Sequence, residues 1–171
     1  STVYLCPSAN TEVTDKPKAA TIDILFKNSD NSHELKDGLE RICFEAKSLI
    51  SDGFNILILS DKNISKVNAP IPSLLAVSAV HHYLIRQGLR MKTSLVIETG
   101  EARELHHFAV LAGYGAEAIN PYLVFDTISS LVHEKDYRTS EQKFVKASGK
   151  AIQKIMSKMG ISVISSYRGG C

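Results

Sequence analysis

Two adjacent histidine pairs, His81-His82 and His106-His107, stand out among the residue types able to bind metal or move protons near neutral pH. Neighbours on a helix point about 100° apart, so neither pair can hold one ion as a unit. Glu101 precedes His106 by five residues, which is not the i, i+4 spacing of a zinc helix. These histidines are therefore read as helix-surface or interface groups. Cys6, Cys43 and Cys171 lie far apart and form no CxxC motif, so the sequence offers no thiolate set for zinc or an iron–sulfur cluster. Cys43 reads as a core thiol, and Cys6, beside Pro7, as a loop residue. A wider polar set recurs at the predicted ends of successive strands: Ser60-Asp61, Glu98-Thr99 and Asn120-Pro121-Tyr122. On a parallel sheet these ends share one rim, where ligands or an internal passage are met, although turns and caps use the same residue types. Arg103, at the start of a predicted helix, suits a carboxylate or phosphate, or an internal ion pair with Glu98 or Glu101.

The elements that would position these residues follow from periodicity. Leu95-Val96-Ile97, a helix opening near Glu101 and Glu104, the Gly113-Tyr114-Gly115 turn and the Ala116 to Ile119 segment make one βαβ unit. The two glycines follow a helix, whereas a dinucleotide-binding loop opens one, so they read as a helix end. Upstream, Thr21 to Phe26 reads as a strand, and Asn28 to Ser32 as a turn with a helix N-cap. Leu35, Leu39, Ile42, Cys43, Ala46, Leu49 and Ile50 make the apolar stripe of the next helix, which Gly53 ends. Ile56 to Leu59 is a strand with apolar residues on both faces. A helix over 73–87 is apolar nearly all round in its first half and calls for cover on several sides, which another domain could supply. Pro121 to Val132 reads as a short helix, His133 to Ser140 as polar, Ser140 to Met159 as a longer helix, and Ile161 to Ile164 as a fifth main strand. Residues 1–18 are a lead-in loop, and 19–171 form the domain. The fold class is α/β, with repeated βα units around a mainly parallel sheet, as in a partial or degenerate TIM barrel; an open doubly wound sheet is the alternative.

Composition narrows the function classes. A chain of 171 residues with 44% hydrophobic and 22% charged residues can bury a sizeable core. The net charge of +2 does not favour nucleic acid, no stretch reaches membrane-spanning length, and the opening residues lack a signal-peptide pattern. These features give a cytoplasmic expectation, with neither nucleic acid nor membrane as partner.

Four stretches in order, LILSDK, APIPSLLAVSAVHHYLIRQGLR, LVIETGEARELHHFAVLAGYGAEAINPYL and KIMSKMGISVISSYRG, resemble the central domain of the glutamate synthase large chain from about Ala19 to Gly169. The resemblance implies a multidomain oxidoreductase of nitrogen metabolism. In it an amidotransferase domain releases ammonia from glutamine, and a distant domain with FMN and a 3Fe-4S cluster adds it reductively to 2-oxoglutarate, forming L-glutamate. The family nucleophile, an N-terminal Cys, has no counterpart here because Ser1 stands first, and the three closely spaced cysteines of the cluster are also missing. No catalytic, cofactor-binding or metal-binding residue carries over.

What the resemblance implies is a scaffold without catalysis of its own. It would pack against the amidotransferase and FMN-binding domains, and Ser60, Asp61, Glu98, Thr99, Arg103, Asn120 and Tyr122 are candidates for the wall of an ammonia passage. Exposed apolar surface would also permit self-association. The alternative is a self-standing α/β domain that binds or senses a small molecule.

Overall fold

The computed structural model describes residues 3–4, 17–29 and 33–169. Its organising element is a five-stranded sheet in the order β1 (Val3–Tyr4), β7 (Ala118–Asn120), β6 (Ser94–Glu98), β4 (Ile56–Ser60) and β2 (Ala19–Asp23). Strands β2, β4, β6 and β7 are parallel, whereas β1 runs antiparallel to β7 at the edge. The parallel strands lie side by side in chain order. This is the sequence-expected α/β sheet of repeated βα units, and it lacks the reversal of strand order that defines a doubly wound sheet.

Register explains which face is buried. Ile22, Leu59, Ile97 and Ile119 are aligned across the four parallel strands and are fully buried. They share the core with Ile42 and Ala46 of α1 (Glu34–Ser51), Ala76, Val77 and Val80 of α2 (Ser73–Arg86), and Phe108 of α3 (Leu105–Gly113). The parallel strands advance in one direction along the sheet, and crossovers of the usual single hand then put the connecting helices on one side. The adjacent row on the opposite face, Thr21, Ile58, Val96 and Ala118, is exposed at Thr21, half-buried at Ile58 and Val96, and buried at Ala118. The β4 run Ile56–Leu59 therefore alternates between buried leucines and half-buried isoleucines, instead of being equally covered on both faces.

Several local expectations change. The segment 21–26 is two strands, because the backbone leaves the main sheet at buried Ile24, which donates to Ser60 O and accepts from Ile71 N. Its continuation, β3 (Leu25–Lys27), pairs antiparallel with β5 (Asn68–Pro70), and Arg41 secures the bend by donating to Asp23 O at 2.6 Å and Leu25 O at 3.0 Å. The α1 N-cap position is His33, without a side-chain cap bond; Ser32 lies outside the described residues.

Helix α2 finds most of its cover within this chain. Ala76, Val77, Val80 and Leu84 are buried, and only Leu75 in its apolar first half remains markedly exposed. Helix α4 (Tyr122–Leu131) lies as expected, but α5 spans Glu134–Lys158 and absorbs most of the segment read as polar. Glu134 and Asp136 suit the positive end of its dipole. Edge-on ring contacts of Phe144 with Phe108 and Phe125 join α5 to α3 and α4. Residues 161–164 do not form the fifth main strand. Ile161 N closes the end of α5 on Met156 O, Gly160 takes φ +71°, and α6 (Ile164–Tyr167) follows. Buried Tyr167 seats that last turn in the core.

Candidate functional site

The C-terminal ends of the parallel strands place Asp23, Ser60, Glu98 and Asn120 in one register row. Glu98 is the centre of this row. Ser60 Oγ donates to one of its carboxylate oxygens at 2.6 Å, and Asn120 Nδ2 donates to the other at 3.1 Å. One residue beyond β4, buried Asp61 accepts from Thr99 Oγ1 at 2.5 Å and from the Gly100 N–H at 3.2 Å. Its own N–H extends the ladder to Glu98 O. Thr99 is likewise fully buried, and its hydroxyl accepts from the Glu101 N–H.

Tyr122 closes the set from the first turn of α4. Burial pushes its phenol up to about 12, and hydrogen bonding to Asp61 and the nearby Asp61, Glu98 and Asp126 charges act in the same direction. The hydroxyl therefore stays protonated near neutrality and serves as a donor. Lys62 Nζ lies 5.7 Å from the Tyr122 ring centroid, a cation–π arrangement on the wet side. A Cβ at Gly100 would sit 3.1 Å from the Tyr122 hydroxyl, so a hydrogen at this position allows the close approach.

The structure thus brings Ser60, Asp61, Glu98, Thr99, Asn120 and Tyr122 together. Arg103 stands outside that network: it is exposed, and its backbone N–H donates to His107 Nδ1. Lys62 and Gly100 were missed because an aromatic 60 positions from a lysine gives no local pattern. The rim can orient polar groups and hold protons in place. The Ser60 hydroxyl donates to a carboxylate rather than to an imidazole, so no serine–histidine nucleophile is assembled there.

The histidines have separate tasks. His107 Nδ1 accepts the Glu104 N–H at 3.3 Å at the start of α3, while the Glu101 carboxylate accepts the Ser73 N–H at 2.7 Å at the start of α2. Helix α3 consequently begins later than the sequence suggests, and Glu101 serves the neighbouring helix. His106 and His107 border a cleft of about 330 Å³ with Leu74, Glu101, Val110 and Leu111.

At the opposite end of the strands, Arg90 donates from Nε to His81 Nδ1 at 2.9 Å and from Nη1 to Thr93 O at 2.8 Å. It also reaches Gly115 O and Glu117 Oε1 at 3.0 Å each, and Arg168 approaches the same Glu117 oxygen at 3.5 Å. Burial, reinforced by Arg90, His82 and Arg168, lowers His81 to about 4, which keeps its nitrogen available as an acceptor. The segment around Arg168 is therefore a structural anchor.

Among the described residues no group of three His, Cys, Asp or Glu side chains is arranged to hold a metal ion. Cys43 is buried and its thiol is pushed up chiefly by that burial; Cys6 and Cys171 lie outside the described residues. The described donor set does not fit an iron–sulfur cluster, which needs several neighbouring thiolates. No described helix is long and apolar enough to cross a membrane.

Comparison with known sequences assigns this arrangement to a family. The model of the glutamate synthase central domain matches residues 7–171. The chain is 48% identical to the glutamate synthase [NADPH] large chain of Bacillus subtilis over 156 residues, covering 89% of this chain and 10% of that protein. It is 40% identical to the glutamate synthase [NADH] of Schizosaccharomyces pombe, with 89% and 8% covered, and 41% identical to the ferredoxin-dependent glutamate synthase of Pyropia yezoensis, with 86% and 11% covered. The chain spans about a tenth of the length of these relatives. With its parallel βα sheet and a family match over nearly its whole length, the chain belongs to the glutamate synthase central domain family.

Proposed function

We propose that this chain acts as a support within a glutamate synthase, without catalysis of its own, and that the polar ends of its strands form part of an ammonia passage wall. The observation that carries the reading is the rim itself. Glu98 and Asp61 are engaged by Ser60, Asn120, Thr99 and Gly100, which makes a rigid polar surface rather than an activated nucleophile. Similarity to relatives named for NADPH, NADH and ferredoxin also supports a task independent of electron donor. The amidotransferase, FMN and 3Fe-4S chemistry belongs, in this reading, to other parts of the parent protein in the cytoplasm. Residues 19–171 supply part of a barrel-like central domain. Exposed Leu123 and Leu131 on α4 offer apolar contacts to neighbouring domains or to a second copy.

The test uses the parent enzyme. Tyr122→Ala should open the rim and raise the ratio of glutamine hydrolysed to glutamate formed, while activity with added ammonium persists. An unchanged ratio in a folded variant would remove the passage role. Glutamate formation by residues 1–171 alone, supplied with FMN, 2-oxoglutarate, reductant and either glutamine or ammonium, would overturn the support role.

A further inference from the structure

Helix α5 carries lysines at positions 143, 146, 150, 154 and 158, and all five are exposed. At about 100° per residue they occupy a stripe about 120° wide. The opposite side of the helix buries Glu141, Ser148, Ile152 and Met156. From Gln142 to Lys158 there is no acidic residue, and none of the five lysines forms an ion pair among the described residues. Like charges four positions apart repel along a helix, and Lys146, Lys150, Lys154 and Lys158 make three such pairs in succession. The helix dipole accounts for Lys158 in the last turn but not for the lysines farther from that end. Helix α1 has a different solvated face, on which Lys36 pairs with Glu40 and Arg41 with Glu45.

We propose that the outward face of α5 docks against a carboxylate-rich surface elsewhere in the polypeptide that carries this chain. This rests on the reading of the chain as a support inside a larger enzyme. Relatives about ten times longer supply ample protein surface for such a contact. The row from Lys143 to Lys158 extends about 22 Å, enough to lie along one acidic helix or loop. Nucleic acid is the poorer fit, because the stripe contains neither arginine nor an aromatic stacking group and the chain's net charge is only +2. A membrane surface is also disfavoured: the apolar side of α5 is committed to the core through Ile152 and Met156.

Zero-length carbodiimide cross-linking of the native full-length protein, followed by peptide mapping, tests the contact. Amide links from Lys146, Lys150 or Lys154 to Asp or Glu outside residues 1–171 are expected. They should disappear when the three are changed together to Gln, with faster hydrogen exchange along α5. Links to outside segments from other lysines of this chain but none from α5 would overturn the docking proposal while leaving the support reading intact. No link from any lysine to an outside segment would overturn both. Binding of the native protein to heparin or anionic phosphatidylserine vesicles through these three lysines would overturn the choice of an acidic protein surface.

Discussion

Gly115 is the residue at which local backbone and long-range packing demands meet. It has φ +115°, a Cβ there would lie 2.4 Å from His81 Nδ1, and its carbonyl accepts from Arg90. Gly115→Ala should cost about 2–3 kcal/mol from backbone strain and displacement of His81, measurable by urea denaturation. Asp61→Ala removes the acceptor for the Thr99 hydroxyl and the Gly100 N–H at a buried position. A loss of about 2–4 kcal/mol is expected in the same measurement. His81 contributes a pH dependence whose sign follows from its lowered folded-state pKa. The unfolded chain takes up this proton at about 6.5 and the folded one only at about 4, so stability should fall as pH drops through that interval. His81→Gln should flatten that part of a melting-temperature profile against pH. The Gly113-Tyr114-Gly115 turn was legible as a helix end because glycine followed an apolar helical stripe. Its contact with His81 was not, since 34 positions separate them and neither residue carries a charge pattern that specifies the other.

Elements were legible where one short-range preference prevailed. Helix α1 keeps its apolar stripe and ends at Asp52-Gly53, with the glycine in a left-handed conformation. Where tertiary partners decided, sequence reasoning went astray. Ile161 to Ile164 is rich enough in β-branched residues for a strand, but closure of α5 by Ile161 and burial of Tyr167 favour a turn and a short helix. Likewise the acidic residues before α3 suggested an earlier start, but Glu101 is drawn to the N–H of buried Ser73, which opens α2. Glu101→Ala should therefore weaken α2 rather than α3, with a loss of about 1 kcal/mol and faster hydrogen exchange in the first turn of α2. Glu101→Gln retains an acceptor and should recover most of that loss. The strand-end rim was legible because parallel strands place their ends together; the donor–acceptor pairs within it depend on register, which a single sequence does not reveal.

For the whole molecule, unequal treatment of the two sheet faces is the main architectural fact. Helices cover the row of Ile22, Leu59, Ile97 and Ile119, whereas Ile58 and Val96 on the other face remain half-buried. The Glu117 contacts bring Arg90, from before β6, to Arg168 in the last described turn, and the Gly169 N–H bonds to Gly113 O. Removal of residues 161–171 should lower the melting temperature by several degrees, because Tyr167 leaves the core and Glu117 loses one of its two cations. During synthesis, a ribosome that has released β7 has yet to deliver this final tie. The parallel strands can align while residues 161–169 are still inside the exit tunnel, but the bottom of the sheet gains its second arginine only after they emerge. Until then Glu117 has Arg90 but not Arg168 beside it, so this edge of the sheet is completed by the last of the described residues to be made.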